Sequence, residues 1–153
     1  MKKLQSMWVL ALIITAGFSM VSCTKDQTLN NELSLNQMED SVESGAWVIT
    51  LFEESGKDET NHFSGYDFTF STDGTILADN GVTSYEGTWS ITDSNSNDDS
   101  QSDLHFTISF NLSNDFEDLN DDWDVISNSD VKIELTDVSG GNGGTDFLTL
   151  EKL

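Results

Sequence analysis

The chain has 153 residues, room for one domain behind a leader but not for two cores. It carries 28 acidic residues against 6 Lys and no Arg, a formal charge of −22; a field of that sign repels phosphate backbones, and the clustered cations that nucleic acid requires are missing, so nucleic acid is excluded as a partner. A single cysteine excludes an internal disulfide framework, and 10% aromatic residues in ordered apolar alternation separate the chain from acidic disordered sequences.

Lys2 and Lys3 open the chain, and Met7 to Val21 run apolar apart from Thr15, Gly17 and Ser19, the architecture of a secretion signal over residues 1–22. The run falls short of the roughly 20 apolar residues of a permanent membrane helix. Small Ser22 precedes Cys23 directly. Met20-Val21-Ser22-Cys23 resembles the bacterial lipobox, with Met20 where that motif usually shows Leu. The resemblance implies that the leader is cut before Cys23 and that Cys23 carries the lipid. The alternative is ordinary cleavage near Ser22 with Cys23 left as a free thiol. Loss of Lys2 and Lys3 leaves 4 Lys against 28 acids, a charge of −24. Two or more acyl chains give stable anchoring where one gives only reversible attachment, so the mature protein is expected to sit on a membrane without crossing it. Thr24-Lys25-Asp26 resembles the charged tag that sends some Gram-negative lipoproteins to the outer face of the outer membrane.

Residues 23–44 read as the lipidated cysteine and a polar tether, in which Leu35, Met38 and Val42 are spaced for a short amphipathic helix resting on the domain. From Ala46 the period becomes two, the mark of strands with one buried face. The spacing predicts eight: Ala46 to Glu53, with Trp47, Ile49 and Leu51 inward; 62–71, with Tyr66, Phe68 and Phe70; Thr75 to Asp79; 83–92, with Tyr85, Gly87, Trp89 and Ile91; a fifth carrying Leu104, Phe106, Ile108, Phe110 and Leu112; Asp122 to Ser127; Val131 to Thr136; and Asp146 to Lys152. Asp73-Gly74, Asn80-Gly81 and Asn128-Ser129 suit tight hairpins. Phe116, Leu119 and Trp123 are helically spaced and predict one turn of helix capping an end of the fold.

No segment suits a crossover helix, so the strands are expected to pair antiparallel with their sequence neighbours. Such a sheet buries its apolar face by closing into an eight-stranded up-and-down β-barrel, which also removes its edges; a β-sandwich gives the same alternation and is the alternative. Gly45-Ala46-Trp47 opens the first strand, and Gly87-Thr88-Trp89 repeats the spacing. With Phe68 to Thr75 and the closing Leu148 to Leu153, residues 45–153 resemble the lipocalin-like domains of Gram-negative lipoproteins. The resemblance implies an all-β barrel with a small apolar or amphipathic ligand at its open end. It also implies a cation over Trp47; lipocalins usually place an Arg there, and Lys152 is the only late-strand cation.

Catalysis requires converging groups, and nothing of the kind is spaced along this chain. His62 and His105 read as surface histidines, and no phosphate loop or Cys/His metal spacing appears, so no catalytic residue, metal site or cofactor is assigned and an enzyme is not expected. Asp93, Asn95 and Asn97, followed by Asp98, Asp99 and Asp103, place oxygens at alternate loop positions as calcium prefers, but Asp98 and Leu104 stand where an EF-hand has Gly and Glu. Asp115, Glu117, Asp118, Asp121, Asp122 and Asp124 form a second acidic group. Solvated charge is the plain reading of both. A small apolar ligand is therefore the leading expectation. The alternative is an acidic surface module for a basic protein or calcium, with a filled barrel.

Overall fold

The computed structural model describes residues 27–94, 103–138 and 144–153. The proposed leader, Cys23 and the export tag lie outside them. A helix, α1 (Gln27–Glu43), precedes nine strands: β1 (Ala46–Glu54), β2 (Lys57–Asp58), β3 (Asp67–Phe70), β4 (Thr75–Asp79), β5 (Ser84–Asp93), β6 (Leu104–Ser109), β7 (Asp121–Asn128), β8 (Lys132–Val138) and β9 (Thr145–Lys152). Two 3-10 turns, Thr60–Phe63 and Asp115–Leu119, complete the described elements.

All neighbouring strands pair antiparallel, and β9 returns to β1, so a single sheet closes into an eight-stranded barrel of β1 and β3 to β9. Closure runs from Trp47 opposite Lys152 to Glu53 opposite Phe147. The sandwich alternative is thereby excluded. Two-residue β2 folds back on the end of β1 and adds a ninth strand to the eight expected. Hairpins form where the glycines predicted them. Gly74 and Gly81 take φ of +82° and +78°, and the Asp73 and Asp79 carboxylates accept from the amides of Thr75 and Gly81.

Alternation places the inward side chains correctly in β4, β6 and β8, where Ile76, Phe106, Ile108, Ile133 and Leu135 are buried. It slips in β1. A bulge between Ile49 and Leu51 gives β1 one residue more than β9, so the inward set runs Trp47, Ile49, Phe52, and Leu51 is only half buried. A second bulge between Val125 and Ser127 leaves Ile126 51% exposed. The strand expected over 62–71 begins at Asp67, because His62 and Phe63 belong to the first 3-10 turn, whose Phe63 is buried.

The tether reading of 23–44 is likewise revised. A 17-residue helix occupies most of it, with Met38 and Val42 buried and Leu35 packed against the core as the i, i+3, i+7 spacing predicts. This helix lies across one end of the barrel, where β1 begins, β9 finishes and the β7–β8 turn sits: Ser41 Oγ donates to Ser129 O at 3.3 Å. The opposite end is closed by Phe63, Tyr66, Tyr85 and Phe116, the last carried by the predicted capping turn.

Rings fill the interior between these ends. Phe70, Trp89 and Phe106 form a mutual set with centroids 5.5 to 5.9 Å apart, and Phe52 stands edge-on to Phe63 at 5.3 Å and Trp123 at 6.4 Å. The outward positions of β5 and β6 are polar, among them Glu86, Thr88, Ser90, His105 and Thr107. That is the reverse of a membrane-spanning barrel, which turns its apolar face to lipid. Among the described residues no helix is long and apolar enough to cross a membrane.

Candidate functional site

At the α1 end, the first-strand tryptophan organises a small polar network. Trp47 is fully buried, and its indole Nε1 donates to Val42 O at 2.9 Å. Lys152 Nζ lies 4.7 Å from the Trp47 ring centroid, the position the lipocalin comparison assigned to a cation. The same ammonium donates to Ser41 O at 3.0 Å and Ser44 Oγ at 2.9 Å. A cation against the last carbonyls of a helix opposes the negative end of its dipole, so Lys152 fastens α1 to β9.

The opposite end gathers carboxylates from segments far apart in sequence. Glu59 before the first 3-10 turn, Asp118 in the second and Asp146 in β9 all lie close enough to Glu54, at the end of β1, to act on its carboxyl. Burial pushes the Glu54 carboxyl up, with Asp118, Glu59 and Asp146 adding like-charge repulsion. Asp118 is raised by burial and then by Glu59, Asp115 and Glu117. Asp121, at the start of β7, is raised chiefly by burial, with Asp137 and Asp146 contributing. Some of this charge is locally satisfied. Lys57 Nζ donates to Glu59, holding that carboxyl down, and Asp146 Oδ1 accepts from the Ser55 amide at 2.6 Å. The rest forms an under-compensated acidic rim around the aromatic closure.

The raised carboxyls carry a signed consequence. Glu54, Asp118 and Asp121 keep their protons to higher pH folded than unfolded, so across that window the folded chain binds more protons and these groups lower stability as pH rises. Replacing Asp118 and Asp121 together with asparagine is expected to raise Tm relative to the parent at pH 7 and leave it unchanged near pH 3, in thermal melts followed by circular dichroism. An equal offset at both pH values would place the effect in packing and not in charge.

The sequence grouped Asp115 to Asp124 as one cluster; the barrel divides it. Asp115, Glu117, Asp118 and Asp121 belong to the rim, whereas Asp122 and Asp124 face His105 on the barrel wall, their oxygens 3.8 and 3.2 Å from its Nδ1. His62 Nδ1 sits 3.5 Å from Glu59 and 3.9 Å from Asp115. Both imidazoles remain partly exposed, at 32% for His62 and 27% for His105, and each forms an ion pair when protonated. Glu54, Glu59 and Asp146 escaped notice in the sequence because the β1–β2 hairpin brings the first two together and strand closure adds the third.

Of the calcium candidates, Asp93 and Asp103 stand at the base of the β5–β6 loop, where Ser94 N donates to Asp103 O at 2.9 Å. Asn95, Asn97, Asp98 and Asp99 lie outside the described residues. Among the described residues, no three His, Cys, Asp or Glu side chains are placed to hold a metal ion.

No family model matches the chain, and no curated protein matches it. The crystal structure of a DUF4847 family protein from Bacteroides vulgatus ATCC 8482 is similar, with 18% identity and a TM-score of 0.48 over 74% of this chain and 95% of that one. Likeness at that level carries no argument about function.

Proposed function

We propose that this protein is a lipid-anchored module of the cell envelope, held to the outer membrane through Cys23, that works by presenting its acidic end to a cationic polypeptide. The observation that carries the reading is the convergence of Glu54, Glu59, Asp118 and Asp146 at the end remote from α1. The helix that follows Cys23 in the sequence packs at the other end of the barrel, which leaves the acidic rim uncovered by it. Charge of one sign steers encounter with an oppositely charged partner over a range set by ionic strength. A rim of carboxylates spread over several elements suits a run of Lys or Arg side chains better than one ion, which favours a basic partner over calcium.

A small apolar ligand inside the barrel requires Phe70, Trp89 and Phe106, or Phe52, Phe63 and Trp123, to repack. Surface recognition requires no such rearrangement. The test is fluorescence anisotropy of a labelled lysine oligomer with the full mature chain. Binding is expected to weaken with salt and to fall about tenfold in the Asp118→Asn, Asp121→Asn double variant, as loss of close charge pairs does at other interfaces. The Asp40→Asn, Asp130→Asn pair, which removes the same charge at the α1 end, is expected to bind like the parent. No binding, or equal loss in the two variants, overturns the proposal. Native mass spectrometry of protein purified from its own host checks the other reading, through a small molecule that travels with the chain.

A further inference from the structure

We infer that the partner of the acidic rim is a basic polypeptide that also carries an apolar side chain, received on the outer wall of the barrel around Phe147. The inference rests on the acidic end being the contact for a cationic chain, and it adds a second requirement on that chain.

The ends of three neighbouring strands supply the charge. Asp121, Asp137 and Asp146 hold the last inward-facing positions of β7, β8 and β9, where they continue the sets Trp123 and Val125, Ile133 and Leu135, and Leu148 and Leu150. They form a lip of carboxylates, close enough that Asp137 and Asp146 both act on the Asp121 carboxyl. The described lysines are engaged elsewhere: Lys57 and Lys132 are held by Glu59 and Glu134, and Lys152 lies over Trp47 at the far end.

Outward positions beside this lip are apolar. Val138 ends β8 and is 66% exposed, and Phe147 follows Asp146 with its side chain turned outward and half-buried. Register sets Phe147 between Glu53 of β1 and Thr136 of β8, which makes Leu51 and Val138 its diagonal neighbours. Thr149 also faces outward, yet with Leu51 and Glu134 as register partners it is only 7% exposed, so the side chains of this wall pack into a continuous surface. The β7 bulge extends it by turning Ile126 out of the inward set. On β5 and β6, by contrast, the outward positions are polar.

An apolar surface on one side of a barrel, rimmed by carboxylates, fits a chain that bears both kinds of side chain: charge draws its lysines to the lip, and the apolar contact excludes water beside them. A second copy of this chain would bring the same negative lip and be repelled.

Fluorescence anisotropy of the full mature chain with two labelled peptides tests this: a lysine oligomer, and the same oligomer with one phenylalanine inserted at its centre. The parent is expected to bind the phenylalanine-bearing oligomer about tenfold more tightly, the scale of one apolar anchor at an interface. Ile126→Thr with Val138→Thr, which keeps a β-branched residue at each exposed position, is expected to remove that preference and leave the plain oligomer bound as in the parent. Val131→Thr with Leu153→Thr, exposed aliphatics at the α1 end, is expected to keep it. Equal affinity of the parent for the two oligomers, or a preference that survives Ile126→Thr with Val138→Thr, overturns the apolar contact while leaving the acidic one in place. So does self-association of the parent, read by sedimentation, that the same double variant abolishes. Failure of the plain oligomer to bind at all overturns the acidic reading, and this one with it.

Discussion

Replacing Phe116 with alanine is expected to destabilise the barrel by about 3–5 kcal/mol, the range for truncating a well-buried aromatic. Phe116 is 3% exposed and meets Phe63, Tyr66, Phe68, Tyr85 and Phe110, with centroids 4.7 to 6.2 Å away. Those partners come from the connection before β3, from β3 itself, from β5 and from the end of β6, so one side chain ties four segments over the barrel end. The turn that carries it cannot follow it inward. Asn114 Oδ1 accepts from Phe116 N at 3.2 Å, and Asn120 binds the Phe110 backbone on both sides, its Nδ2 donating to Phe110 O at 2.9 Å. Little collapse is available, which places the loss toward the upper part of the range. Urea denaturation followed by tryptophan fluorescence measures it; a loss under about 1 kcal/mol would show that this end is loosely packed.

Gly87→Ala is the second large effect, and it acts in the opposite sense, by adding volume. A Cβ on Gly87 falls 2.5 Å from Ser109 O, 2.8 Å from Phe110 Cδ1 and 3.1 Å from Ile76 Cγ2. The nearest of these atoms is backbone of the adjoining strand, so relief means shifting β5 against β6 and not turning a rotamer. Overpacking of that kind costs about 1–3 kcal/mol, and the backbone clash puts the expectation near 3. The same denaturation assay checks it, and a Gly87→Ala chain as stable as the parent would mean that β5 and β6 are spaced more widely than described.

Gly87 also shows what the sequence displays and what it hides. Its inward register was readable from Tyr85, Trp89 and Ile91 around it, because the period of two survives in any strand without a bulge. The need for glycine there comes from the close approach of β6, which no local pattern records. The same division runs through the molecule. Lys152 over Trp47 was legible because the last strand offers a single cation. Phe52 in place of Leu51 was not, since a bulge arises from pairing with β9 and leaves no mark on β1 alone. Helix α1 was visible in Leu35, Met38 and Val42 but not at its full length, because its polar face resembles a tether in composition. The acidic rim was the least legible feature. Glu54 and Glu59 meet through the β1–β2 hairpin and gain Asp118 and Asp146 only when the barrel is assembled, whereas Asp122 and Asp124, adjacent to the rim in sequence, alternate away toward His105.

A cation-bearing chain is expected to touch this molecule at its acidic end. Backbone amide shifts of the isotopically labelled mature protein, recorded while a lysine oligomer is titrated in at low salt, locate that contact residue by residue. The largest changes are expected at Glu54 to Glu59, Asp115 to Asp121 and Asp146, around the aromatic closure. Changes centred on the α1 end of the barrel, or spread evenly over its wall, would contradict that placement.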